Sequence, residues 1–248
     1  MYLAFLRAPR QGRLLGCALT ALAISAPNAE AALSSYTGSA TLSYTIDSII
    51  NLTNPGDLSN LQMDATFEQL GAPYSIELVT GDGKVTANSP GVGIQTVSSP
   101  YAFTFSTSGD VNNGTVNASN LGSFWLGFTN LGTDSYQIGV TLNYGLNATA
   151  SGQGADSTVH LDYYNQDSSF SGFDDALAFS GFPPAATQSG SSGAFLFTLA
   201  GAGSEFLAGD VTISGNLEAT AVPLPPAIWF FLSGCIALMQ RRREGANC

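Results

Sequence analysis

The strongest constraint on what this chain can become lies between residues 136 and 146. Tyr136, Ile138, Val140, Leu142, Tyr144 and Leu146 alternate there with Gln137, Gly139, Thr141, Asn143 and Gly145. Side chains of an extended strand point alternately to its two faces, so this period of two predicts a strand with one buried face. The pattern recurs at Leu42/Tyr44/Ile46, Tyr74/Ile76/Leu78, Tyr101/Phe103/Phe105, Phe124/Leu126/Phe128, Val159/Leu161/Tyr163, Phe195/Phe197/Leu199 and Val211/Ile213/Leu217. Between these runs, Asn54-Pro55-Gly56-Asp57, Gly81-Asp82-Gly83, Ser108-Gly109-Asp110 and Gly152-Gln153-Gly154 are each predicted as turns. The segment from Leu58 to Leu70 carries both spacings and is read as strand, because Met63, Ala65 and Phe67 alternate. Eight or more half-buried strands with almost no helical periodicity predict an all-β antiparallel sandwich of jelly-roll type, with a barrel as the alternative.

Charge divides the chain into three parts. Six of the seven basic residues sit at the ends, as Arg7, Arg10 and Arg13 and as Arg241, Arg242 and Arg243. Between residues 32 and 221 sixteen acidic side chains face Lys84 alone, a formal charge of −15. Nucleic-acid binders draw much of their affinity from Lys and Arg neutralising phosphates, so such a domain excludes DNA and RNA as partners. Cys17, Cys235 and Cys248 all lie outside this region, so the domain depends on its core rather than on a disulfide.

The amino end has the order of a secretory signal: the three arginines, an apolar run from Leu14 to Ala26, and Ala29-Glu30-Ala31 as an A-x-A cleavage site. Signal peptidase is the implied partner, and cutting after Ala31 leaves Ala32 first. Leu14-Leu15-Gly16-Cys17 has the letters of a lipoprotein box but opens the apolar run instead of closing it, so lipidation at Cys17 is rejected.

At the carboxyl end Val222-Pro223-Leu224-Pro225-Pro226 precedes an apolar run, Ala227 to Met239, and then Gln240 and Arg241-Arg242-Arg243. Proline suits the first turn of a helix and keeps the residue before it extended, so a helix starting at Pro225-Pro226 is expected. Its thirteen residues would reach about 20 Å, short of a hydrocarbon core of about 30 Å. The arginines stop the segment on the cytoplasmic side by the positive-inside rule.

This tail resembles the sorting signal of PEP-CTERM proteins, exported by Gram-negative bacteria and processed by the membrane enzyme exosortase. Leu224 stands where the family's name-giving form has glutamate, so Val222-Pro223-Leu224-Pro225 matches a leucine variant, and Glu244 to Cys248 extend beyond the arginines. The resemblance covers Val222 to Arg243. With the amino-end signal and the alternating middle already read, the chain divides into three parts: a signal peptide at 1–31, an acidic sandwich at 32–221, and a sorting signal with a transmembrane helix at 222–248. The resemblance implies a precursor tethered transiently in the inner membrane, then a non-enzymatic product at the cell surface or in the matrix with exopolysaccharide.

Catalytic and metal motifs are sparse in the middle. His160, the single histidine, shares a strand face with Asp162 away from the apolar side, the pattern of a solvated face. Asp174 and Asp175 are adjacent and would face opposite ways on a strand, which disfavours them as a glycosidase pair. Ser151 to Asp156 gives one partial copy of a glycine-aspartate calcium repeat, and Asp110 to Gly114 misplaces the EF-hand glycine. A loose calcium site would have to draw on Asp162, Asp167, Asp174 or Asp175. No cofactor or metal is expected. Asn51, Asn113, Asn117 and Asn147 begin N-x-[ST] sequons, which several Asn, Ser and Thr residues produce by chance. Besides the matrix role, two alternatives remain: a carbohydrate-binding module using outward aromatics among Trp125, Tyr163, Tyr164 and Phe173, with Trp125 foremost, and a polysaccharide hydrolase or lyase.

Overall fold

The computed structural model describes residues 33–90, 93–96 and 100–220. The expected signal peptide, with Ala29, Ala31 and Ala32, and the expected sorting tail, from Val222 to Arg243, lie outside the described residues. Twelve strands occur among the described residues: β1 (Ser34–Asn51), β2 (Leu61–Leu70), β3 (Ile76–Val79), β4 (Lys84–Asn88), β5 (Gly93–Thr96), β6 (Tyr101–Val111), β7 (Gly114–Asn130), β8 (Tyr136–Ser151), β9 (Asp156–Asn165), β10 (Ser171–Phe179), β11 (Ala185–Leu199) and β12 (Ser204–Ala219). No helix occurs among the described residues.

All pairings are antiparallel and form two packed sheets. One has the order β11-β8-β1-β6-β4 and the other β10-β9-β12-β7-β2-β5, with β3 joined to β7. This is the expected sandwich rather than a barrel. The alternating residues supply its interior: Leu42 and Tyr44 on β1, Phe103 and Phe105 on β6, Phe124, Leu126 and Phe128 on β7, and Ile138, Val140 and Leu142 on β8 are all buried. Phe124 is a junction between the sheets. Its ring lies 4.7 Å from that of Phe67 on β2 and 5.1 Å from that of Phe103 across the interface, within the range where aromatic pairs attract beyond simple burial. The Tyr44 hydroxyl, fully buried, donates to the Phe124 carbonyl at 3.3 Å.

Two expectations fail. Tyr74, Ile76 and Leu78 are not a buried strand face: they are 62%, 49% and 63% exposed, and Tyr74 precedes the four-residue β3. β2 and β3 lie along the same edge of β7, and the chain loops out between Leu70 and Ile76, where Leu121 donates its N–H to the Ser75 hydroxyl. Beyond that interruption β3 is exposed at every position, so alternation there meets no opposing layer. Ser108-Gly109-Asp110 is no turn either, because β6 runs through it to Val111. Gly109 serves packing instead: a Cβ there would sit 2.4 Å from Cε1 of Tyr36, which occupies the interior. The turns at Gly56, Gly81, Gly152 and Gly154 do form, all with positive φ.

Burial separates the two kinds of alternating residue energetically. Urea unfolding of the full chain is expected to show Phe124→Ala destabilised by about 3–5 kcal/mol, through lost contacts and an unfilled cavity. Leu78→Ala is expected to stay within about 0.5 kcal/mol of the parent. Comparable losses at both positions would contradict this packing.

Candidate functional site

The parity that turns Phe124 inward turns Trp125 outward, and strand register decides what stands beside it. Trp125 is paired with Thr66 on β2 and with Ala208 on β12, and Ala208 is paired with Tyr164 on β9. Thr66, Trp125, Ala208 and Tyr164 therefore form one row across the outer face of the sheet. Ala208 is fully covered although it points outward between its cross-strand partners Trp125 and Tyr164. Phe206 meets Tyr164 edge-on, with centroids 6.3 Å apart. The result is an aromatic ledge on the solvent side.

The next row carries charge. Glu68, Ser123, Asp210, Asp162 and Phe173 follow one another across β2, β7, β12, β9 and β10. Asp210 accepts hydrogen bonds from the Ser123 hydroxyl and, at 3.1 Å, from the Tyr164 hydroxyl. Burial and the neighbouring Asp210 charge push the Tyr164 phenol above its ordinary value, so it remains a donor at neutral pH. Two shallow hollows of about 390 Å³ each flank Tyr164. Asp64, Trp125 and Phe206 line one; Asp162, Phe173 and Asp210 line the other. Their size suits small-ligand sites of about 300–1,000 Å³.

One row further, His160 is held between two carboxylates. Its Nδ1 lies 2.5 Å from Asp175 Oδ1 and its Nε2 2.9 Å from Asp162 Oδ2. Partial burial alone would lower its pKa, but the hydrogen bonds and charges of Asp175 and Asp162 outweigh this and raise it. His160 thus steers the side chain of Asp162, which lines the second hollow.

The sequence candidates separate clearly. Trp125, Tyr163, Tyr164, Phe173 and Asp162 all line the two hollows, and the Tyr163 ring also lies against Tyr144 and Phe170. Asp174 turns inward, where it accepts from the Tyr144 hydroxyl at 2.9 Å and from Gln188 Nε2 at 3.0 Å, and Asp175 turns outward to His160. Asp167 closes a turn by accepting from Asn165 Nδ2 and the Ser169 N–H. Of the four aspartates considered for calcium, Asp162 and Asp175 share His160 while Asp174 and Asp167 are each held elsewhere, and no group of three or more His, Cys, Asp or Glu among the described residues is arranged to hold a metal. Asn51, first of the sequons, is buried and uses its amide on Asp57 and Asp134.

Phe206, Asp210 and Asp64 complete the site and were not singled out from the sequence. Parity carried the signal for two of them: Val211 and Ile213 point inward, so Phe206 and Asp210 on the same strand must point outward. Comparisons with family models, with curated proteins and with solved structures return no match. The site itself is a set of ring faces beside fixed hydrogen-bond acceptors, chemistry that suits stacking on a sugar ring and accepting from its hydroxyl or amino groups.

Because His160 binds its proton more tightly when folded, its contribution to stability is complete below its ordinary pKa of 6.5 and is lost as pH rises through the raised value. With about a third of the side chain in water, that contribution is held to about 1 kcal/mol or less. Urea unfolding of the full chain is expected to show stability falling by that amount from about pH 6 to about pH 9, with His160→Gln removing the fall. A variant that retains the same fall would contradict the assignment.

Proposed function

We propose that this chain is an exported, non-enzymatic cell-surface or extracellular-matrix protein whose sandwich holds exopolysaccharide on its outer aromatic ledge. The observation that carries the reading is the row Trp125, Ala208, Tyr164 with Phe206 beside it. Rings turned toward solvent contribute nothing to the core between the sheets, and an organised set of them next to fixed carboxylates is what a sugar-binding face requires. The backbones of β7 and β9, two strand spacings apart, stand about 10 Å from each other, which offers successive sugar rings a continuous support.

Export rests on the ends of the sequence. The reading takes Ala29-Glu30-Ala31 as the signal-peptidase site and Val222-Pro223-Leu224-Pro225 as a PEP-CTERM-type motif addressed by exosortase. A short transmembrane helix from Ala227 to Met239, with Arg241, Arg242 and Arg243 as its stop, would tether the precursor in the inner membrane before release. We read the wrapping as jelly-roll-like, because the chain crosses from one sheet to the other at most of its connections. The acid excess of the domain leaves nucleic acid out of its partners.

A polysaccharide hydrolase or lyase is the second reading, favoured by Asp162 and Asp210 being cross-strand partners on one hollow. Release of reducing or unsaturated ends from a retained polymer would decide for it.

Deleting Val222 to Cys248 is expected to send the protein to the periplasm or medium, read by fractionation; unchanged localisation would overturn the sorting role. Trp125→Ala is expected to weaken retention on the cognate polysaccharide by about tenfold or more, as truncation of a central aromatic anchor does, with unfolding unchanged. Retention equal to the parent would remove the ledge from the account.

A further inference from the structure

The charge around the ledge narrows the class of polymer, an inference that rests on the polysaccharide reading above. Asp64 borders one hollow, Asp162 and Asp210 the other, and Glu68 lies in the same row as Asp210. Against these carboxylates the described residues offer one Lys and no Arg. That residue, Lys84, is on β4, at the edge of the opposite sheet and across from Asp110. His160, in the next row, is already held by Asp162 and Asp175. A polymer of uronic acids or sulfated sugars would therefore meet like charge with no counter-ion from the protein.

A polymer bearing free amino groups meets the opposite situation. Asp210 is fixed by the Ser123 and Tyr164 hydroxyls, so a carboxylate stands at the hydroxyl tip of the Tyr164 ring. Ammonium groups are attracted both to carboxylates and to aromatic faces, and the neighbouring Asp162, one oxygen of which is on His160, adds a second carboxylate at that register. We propose that the ledge selects amino-sugar polysaccharide, in which some amino groups are free and protonated, with Trp125 and Tyr164 stacking the rings and Asp210 and Asp162 pairing the ammonium.

The test uses the full-length protein and three polymers: partly deacetylated chitin, a neutral β-glucan and polygalacturonate. Retention is expected to be strongest on the first, weaker on the second and absent on the third. The double variant Asp162→Asn/Asp210→Asn is expected to lose about tenfold more on the amino polymer than on the glucan, consistent with loss of a close charge pair. Glu77→Gln/Asp110→Asn removes the same charge away from the ledge, on β3 and β6, and is expected to behave as the parent. If the control loses as much as the ledge variant, or the ledge variant loses nothing, the amino-sugar assignment fails while polysaccharide binding stands. Retention on polygalacturonate that depends on Trp125 would likewise overturn the assignment alone. Absence of retention on all three polymers, and on polysaccharide from the producing cells, would overturn the underlying reading as well.

Discussion

The meeting of Phe124 with Phe67 and Phe103 between the two sheets is the contact on which the rest depends. It joins β2, β6 and β7 at one point in the interior, and the Tyr44 hydroxyl secures the backbone there by bonding the Phe124 carbonyl. A strand cannot turn one residue inward without turning the next outward, so fixing Phe124 fixes Trp125 on the solvent face. The same rule on β9 and β12 sends Leu161, Leu207 and Val211 inward and Tyr164, Phe206 and Asp210 outward. Core and ledge are two sides of one alternation, and a slip of register by one residue would destroy both.

What the sequence makes legible follows from that rule. Strand identity was readable at β1, β6, β7, β8, β9, β11 and β12 because their buried faces carry large apolar residues at every second place. It misled at Tyr74, Ile76 and Leu78, where the same spacing occurs without an opposing sheet; periodicity reports the geometry of a strand and not whether anything covers it. At Gly109 the letters of a turn mark instead a place where the backbone must make room for the Tyr36 ring. Neither distinction exists before the chain is folded.

The site shows the same division. Trp125 could be singled out locally, from its position opposite Phe124 and Leu126, and so could the outward setting of His160 beside Asp162. Its neighbours could not, because cross-strand pairing joins Trp125 to residues some 40 to 80 places away in the chain. Asp210 becomes part of the ledge only through the hydroxyls of Ser123 and Tyr164, and Asp175 reaches His160 only because β9 and β10 pair in their particular register. The acid excess visible in the composition acquires meaning through this placement: several of the sixteen carboxylates border one aromatic face, and the single lysine stands on the other sheet.

Trp125 and Trp229 are the two tryptophans of the chain, so replacing Trp229 by Phe leaves indole emission reporting on the ledge alone. Titrating that full-length variant with oligosaccharides from partly deacetylated chitin tests directly whether sugar seats on Trp125. A saturable change in intensity and wavelength is expected at the concentrations that compete for polymer retention. Emission that stays constant while the protein remains bound to polymer would contradict that seating.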